Sequence, residues 1–225
     1  MSKHSKIPES VALLSPRELG RARLLDVEFF DRDPRVVARE LLGKLLIRNT
    51  PRELLAGRVV ETEAYLGEGD LAAHAAAGKT ERNSVLFGPP GIAYVYFIYG
   101  NHYCLNVSCL PDGVAGGVLF RAMEPVAGIE EMAKARGITI EKASDLKKVS
   151  SGPGRMSEAL GVTRARDNGK SLISRNSDLY LADDGFRAGP VVVTQRIGIT
   201  KSAEQPLRYL VRGNPFVSGP QKIRH

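Results

Sequence analysis

The chain has 225 residues, 43% of them hydrophobic, enough apolar material for one sizeable core and for one self-sufficient domain. Its 32 Lys and Arg outnumber 25 Asp and Glu, a net charge of +7 that favours an anionic partner such as nucleic acid over an acidic one. No apolar run reaches the roughly 18 residues of a membrane span, Met1 to Ser10 holds no apolar leader segment, and Cys104 and Cys109 are too few for a four-cysteine metal site, so a soluble, unexported protein with buried thiols and no structural metal is expected.

In chain order, residues 1–20 read as a flexible N-terminal segment and 21–225 as the domain. Asp33 and Pro34 pair as N-cap and first helical residue, and Val36, Val37, Leu41 and Leu42 then form an apolar face, predicting a helix over about 34–42 that Gly43 ends. Strands are predicted over 44–48 and 57–65, followed by a short Ala-rich helix from Asp70 to Ala77 that carries His74 and is closed by Gly78. Phe87-Gly88-Pro89-Pro90-Gly91 requires a loop. Ile92 to Tyr99, rich in aromatic and β-branched residues, reads as a strand, with a turn at Gly100-Asn101 and a return strand over 102–108. A further strand is predicted near 118–122. Helices follow at 129–136, 144–149 and 153–160, then strands at 179–182, 191–195 and 208–211. From Phe186 to His225 the bases Arg187, Arg196, Lys201, Arg208, Arg212, Lys222 and Arg224 face one acid, Glu204, which predicts a surface for a polyanion.

The chemistry concentrates between Val60 and Arg121. Alternate strand residues share a face, so Glu61, Glu63 and Tyr65 converge, with Arg121 as a possible partner. An Arg keeps a carboxylate ionised and able to take a proton from water, although alternating acids are ordinarily a solvated strand face. On the hairpin, Tyr94, Tyr96 and Ile98 share one face and Val95, Phe97 and Tyr99 the other. An aromatic at an exposed tip, such as Tyr99, can wedge between bases.

These residues resemble a known family. Val60-Glu61-Thr62-Glu63-Ala64-Tyr65-Leu66-Gly67, His74, Thr80 with Arg82-Asn83, Tyr94-Val95-Tyr96, Tyr99-Gly100, Cys104 with Asn106, Leu119-Phe120-Arg121-Ala122 and Glu124-Pro125 are similar in order to the alkyladenine (3-methyladenine) DNA glycosylases. The likeness continues through Ser151-Gly152-Pro153, Pro206-Leu207-Arg208-Tyr209 and Val211-Arg212-Gly213-Asn214-Pro215. It implies an α/β domain of the α+β type around a curled, largely antiparallel sheet with a protruding hairpin and no helix-hairpin-helix module. It also implies a monofunctional N-glycosylase that flips alkylated or deaminated purines (3-methyladenine, 7-methylguanine, hypoxanthine, ethenoadenine) out of duplex DNA. Glu63 would be the general base, with Arg121 and the carbonyl of Ile197 helping to hold the water. Tyr65, His74 and Tyr96 would enclose the flipped base, Asn106 would press on its edge, and Tyr99 would fill the gap in the duplex. No cofactor, metal or membrane is implied; the partner is double-stranded DNA, met by a monomer in the cytoplasm or nucleoid of a bacterium or the nucleus of a eukaryote. One departure is Asn101, where many relatives are expected to carry Met.

Two rival classes are a nucleic-acid-binding module without a base at Glu63, and a metal-dependent nuclease with Glu61, Glu63 and Asp70 as magnesium ligands. The hairpin register separates the site assignments further. A two-residue turn at Gly100-Asn101 puts Tyr96 and Asn106 on opposite faces, whereas one pocket needs them on the same face. A three-residue turn over 100–102, or a bulge, pairs Tyr96 with Asn106, and that odd register is the expectation.

Overall fold

The computed structural model of the chain describes residues 12–98, 100 and 102–219. In order these form α1 (Pro16–Arg21), β1 (Arg23–Leu24), α2 (Val27–Phe30), α3 (Pro34–Glu40), β2 (Leu45–Asn49), β3 (Leu54–Tyr65), β4 (Ala93–Ile98), β5 (His102–Ser108) and β6 (Gly117–Ala127). Then come α4 (Ile129–Ala135), α5 (Leu146–Ser150), α6 (Pro153–Ala159), α7 (Arg164–Asp167), β7 (Leu179–Asp183), β8 (Val191–Thr194) and β9 (Arg208–Val211). Short polar side chains start the helices by taking otherwise orphaned N–H groups: Asp33 accepts from Arg35 N ahead of Pro34, Asp26 from Phe29 N, Thr163 from Arg166 N, and Ser15 and Glu18 cap α1 reciprocally. The elements missed in the sequence, α1, α2, α7 and β1, are too short to show a period.

The strands form one curled antiparallel sheet in the order β1-β7-β2-β3-β6-β5-β4, with β9 also on β3 and β8 on β9. Strand β3 organises it: one edge pairs with β2 through Leu54–Arg58 and with β9 through Glu61–Glu63, while the other edge pairs with β6. Helices α3, α5 and α6 pack on the sheet, and the main core gathers Phe30, Val37, Leu41, Val95, Phe120 and Met156. A smaller core on the other side joins α1 through Leu19 to Leu45, Ile47 and Tyr180. Among the described residues no helix is long and apolar enough to cross a membrane.

Besides a shift between Ala56 and Gly57, the β3–β6 ladder carries two opposed irregularities around Glu61. Val59 pairs with Met123, Glu61 with Ala122 and Thr62 with Phe120, so Val60 is an extra residue on β3 and Arg121 an extra residue on β6. The two insertions cancel, and the register is the same on either side of them. Such bulges re-aim side chains. Here Val59 and Val60 both enter the core, while Arg121 stands level with Glu61 and Glu63 on the other face.

Two sequence expectations need correction. The Ala-rich helix over Asp70–Ala77 is instead a succession of turns, closed by Ala73 N to Asp70 O, Ala76 N to Ala73 O and Gly78 N to Ala75 O. Side chains outcompete the helix: Asp70 accepts from the amides of Leu66 and Ala72, and Asn83 Nδ2 donates to the carbonyls of His74 and Gly78. In the hairpin, Ile98 pairs with His102, Tyr96 with Cys104 and Tyr94 with Asn106. The odd register is therefore present, but displaced toward β4, because three residues separate Ile98 from His102. Asn106 consequently lies opposite Tyr94, two pairs from Tyr96 and so on the same face. Tyr99 and Asn101 lie outside the described residues.

Gly67, with φ of +81°, makes the sharp exit from β3 that leads to Asp70, and a Cβ there would collide with the carbonyl oxygen of Ala115. Gly67→Ala combines a disfavoured backbone with a clash against main chain and should cost about 2–4 kcal/mol, read as a lower urea midpoint at unchanged slope.

Candidate active site

A pocket of about 460 Å³ opens between the hairpin, the 70–78 turns and the start of α6, a size ordinary for a small-molecule or single-base site. Strand alternation carries Tyr94 and Tyr96 into it together, and the cross-strand position brings Asn106 to the same wall. The ring of His74 stands 4.4 Å from that of Tyr96 at 68°, and its Nδ1 lies 2.9 Å from the Tyr94 hydroxyl. Burial, aided by Arg82, lowers the His74 pKa, so the imidazole is neutral at pH 7. Asn106 Nδ2 donates to the Tyr94 carbonyl at 3.1 Å, which fixes which edge of the amide points into the space. On the far side of the hairpin Val95 is buried in the core and Phe97 packs against Tyr103, so the two faces divide as alternation requires.

Glu61 and Glu63 are wholly buried, which overturns the reading of their strand as a solvated face. They are not equivalent. Glu61 accepts four hydrogen bonds: from Arg121 Nε at 2.8 Å, Arg208 Nε at 2.7 Å, Ser218 Oγ at 2.9 Å and Ser218 N at 2.6 Å. Three of these converge on Oε1 and one reaches Oε2, so Glu61 is held by protein donors on both oxygens. Glu63 accepts two, from the Ile197 amide at 2.8 Å and the Tyr65 hydroxyl at 3.0 Å, and Arg121 Nη1 is 3.1 Å from its Oε1. Tyr65, Arg121 and Ile197 all line the pocket, so Glu63 stands directly behind the wall with acceptor capacity to spare.

Burial and neighbouring charges act strongly on Glu63 and its partners. Burial is the largest influence on Glu63 and raises its pKa, against the opposing pull of Arg121, the Ile197 amide and the Tyr65 hydroxyl. A raised carboxylate pKa makes a better proton acceptor near neutral pH. Burial works against the charge on Arg121, but Glu63 and Glu61 hold its pKa above the ordinary value, and it stays cationic. Burial, then the neighbouring Glu63, pushes the Tyr65 phenol up, so it serves Glu63 as a neutral donor.

The turns that carry His74 are anchored by a second buried ion pair. Arg196 meets Asp70 with two hydrogen bonds of 2.6 and 2.8 Å, donates to the Ala64 carbonyl at 3.0 Å, and lies 4.6 Å over the Tyr65 ring. Glu61, Glu63 and Asp70, offered by the sequence as magnesium ligands, are thus each committed to an arginine. The basic tail also needs revision: Arg196 and Arg208 are buried partners of Asp70 and Glu61 and are lost to any polyanion, while Arg187 and Arg212 remain exposed. Lys222 and Arg224 lie outside the described residues. Ile197 reaches Glu63 through its N–H, a contact that the expected role of its carbonyl did not include.

Arg208, Ser218 and Arg196 were missed as site residues. A faint signal existed for Arg208, a lone charge inside the apolar run Leu207-Arg208-Tyr209-Leu210, which is unusual unless the charge has a buried partner. Ser218 carries none.

Residues 28–215 match the family described as methylpurine-DNA glycosylase (MPG). A protein of Koribacter versatilis (strain Ellin345), provisionally named a 3-methyladenine DNA glycosylase, is 67% identical over 214 residues, covering 95% of this chain and 98% of that protein. Proteins with the same provisional name in Mesorhizobium japonicum and Methanocella arvoryzae are 46% and 43% identical, covering 85% and 87% of this chain and 88% and 96% of their own lengths.

Asp70→Asn leaves the Arg196 guanidinium buried without its counter-charge and should destabilise the protein by about 3–5 kcal/mol at pH 7. Burial acts to raise the Asp70 pKa, but Arg196 and the Leu66 and Ala72 amides together hold it below the ordinary value. A depressed carboxylate stabilises the fold above its unfolded pKa of about 3.9 and loses that effect as pH falls through the folded value. Urea midpoints at pH 7 and in mild acid should therefore show the deficit of the variant shrinking below about pH 4.

Proposed function

The chain belongs to the methylpurine-DNA glycosylase family, and we propose that it removes alkylated and deaminated purines from duplex DNA by hydrolysing the N-glycosidic bond with water activated by Glu63. Membership makes it a DNA glycosylase, a hydrolase of base excision repair that acts on DNA. The observation that carries the finer reading is the contrast between its two buried carboxylates. Glu61 is tied down by four hydrogen bonds from Arg121, Arg208 and Ser218, whereas Glu63 accepts only two, has a raised pKa and stands behind the wall of an aromatic pocket.

A purine inside a duplex hides its glycosidic bond, so the nucleotide must be extruded, and damage that weakens pairing lowers the cost. Tyr65, His74 and Tyr96 would receive the flipped base, Asn106 would test its edge, and Tyr99 would occupy the gap left behind. Alkylation at a ring nitrogen makes the purine cationic. The cation is a good leaving group and is attracted to electron-rich aromatic faces, and the neutral His74 adds no opposing charge. As the bond to the base lengthens, positive charge develops on the sugar. Glu63 stabilises it and takes the proton of a water held with the help of Arg121 and the Ile197 carbonyl; that water adds to the sugar carbon, and the base departs with its bonding electrons. Because water is the nucleophile and no amine forms a covalent link to the sugar, the reaction ends at base removal without strand cleavage. It asks for no cofactor, and one monomer suffices.

Glu63→Gln keeps the shape but not the proton acceptor, so single-turnover excision of hypoxanthine should fall by about 10²–10⁴-fold while duplex binding is retained. Excision within about tenfold of wild type would move the base role elsewhere. With its pKa raised, Glu63 is protonated, and activity lost, as pH falls through a value above the ordinary glutamate pKa of about 4.3. The acid limb of the pH–rate profile should lie above that figure and disappear in Glu63→Gln.

Exposed bases that neutralise phosphates release condensed counterions, so the affinity for duplex DNA should fall steeply with salt. Arg212→Ala, at an exposed position, should weaken all duplexes equally and reduce the salt slope by about one, whereas a changed preference among damaged bases would assign it to the pocket.

A further inference from the structure

On the reading of Glu63 as the base, we propose that Glu61 is a positioning residue that, held by Arg208 and Ser218, rations the Arg121 guanidinium between two carboxylates and so keeps Glu63 available to water. The geometry carries this. Arg121 spreads its three nitrogens over three acceptors: Nε to Glu61 at 2.8 Å, Nη1 to Glu63 at 3.1 Å and Nη2 to Ser218 Oγ at 3.4 Å. Left to itself, an arginine beside a buried carboxylate engages it with two parallel bonds, one to each oxygen. That arrangement would cover both oxygens of Glu63 and make it a poor base. Glu61, by claiming Nε, and Ser218, by taking Nη2, leave only Nη1 for Glu63 and prevent it.

Glu61 can do so only because it is itself immobilised. Arg208 reaches it across the β3–β9 pair and donates Nη2 to the Ser218 carbonyl at 2.9 Å, and Ser218 returns its amide and hydroxyl to Glu61. The buried set of Glu61, Glu63, Arg121 and Arg208 is neutral as a group, so Glu63 need not take up a proton to balance it. The segment Phe216–Ser218, buried although it lies near the end of the chain, is by this account part of the positioning apparatus.

The test is single-turnover excision against pH for wild type, Glu61→Gln, Glu63→Gln and Ser218→Ala, with thermal unfolding of each. Glu61→Gln removes a negative charge next to Glu63 and frees Arg121 to close on it. The rate plateau should fall by about tenfold or more, and the acid limb should move to lower pH, with DNA affinity unchanged. A loss of packing alone would not move the acid limb. If Glu61→Gln does not fold, Ser218→Ala decides, since it leaves the Glu61 charge and removes one hydroxyl from Glu61 and Arg121. An excision rate lower by about two- to tenfold at unchanged affinity supports the proposal, and a wild-type rate overturns it. Folded Glu61→Gln with a wild-type rate and profile likewise overturns it. Excision by Glu63→Gln within about tenfold of wild type would instead defeat the reading of Glu63 as base, so the two failures are distinguishable.

Discussion

Burying a carboxylate costs several kcal/mol unless its charge is met, and the whole site depends on how Glu63 escapes that cost without losing its basicity. Glu61 is tied down by four hydrogen bonds from Arg121, Arg208 and Ser218, which makes it a structural group. Glu63 escapes only in part. Two hydrogen bonds and one shared arginine hold it in place, yet burial still dominates and raises its pKa. Neighbouring acids two residues apart on one strand are thus driven to opposite chemistry by the company each keeps.

Several features of the fold serve this balance. Strand β3 runs for 12 residues and carries β9 on the edge that β2 vacates, which delivers Arg208 to Glu61. The paired bulges at Val60 and Arg121 insert and then recover one residue, aligning the guanidinium with both acids while Gly57–Val59 and Thr62–Tyr65 keep one register against β6. Gly67 and the Asp70–Arg196 pair turn the chain back so that His74 closes the pocket over the Tyr65 that touches Glu63. The pocket and the carboxylate behind it are therefore mechanically one unit, joined through Tyr65, Arg121 and Ile197.

The pocket itself is electrostatically quiet. Tyr65 and Tyr96 hold their protons because burial pushes their phenols up, and His74 stays neutral because burial pulls its imidazole down. Of the two arginines that line the pocket, Arg155 is exposed, and the buried Arg121 has its charge answered by Glu61 and Glu63. On the proposed reading, these electron-rich faces would suit a purine that carries a positive charge of its own, and shape and the Asn106 edge would be left to refuse neutral bases.

Much of this was legible in the chain. The β-branched and aromatic runs marked β3 and the hairpin, Asp33-Pro34 marked the start of α3, and alternation placed Tyr94 with Tyr96 and Glu61 with Glu63, because those features are local and depend on backbone geometry alone. The parity of the hairpin followed from asking Tyr96 and Asn106 to share a pocket, although the partner of Asn106 proved to be Tyr94. Only the tertiary structure decided the rest. Local propensity predicted a helix at 70–77, and a distant arginine with one asparagine unmade it. Composition counted Arg196 and Arg208 as surface charge, and long-range pairing, 126 and 147 residues apart in sequence, buried them. Which glutamate is held by fewer donors is likewise set by atoms remote in the sequence, since the basicity of a buried acid depends on every donor around it and a strand pattern specifies none of them.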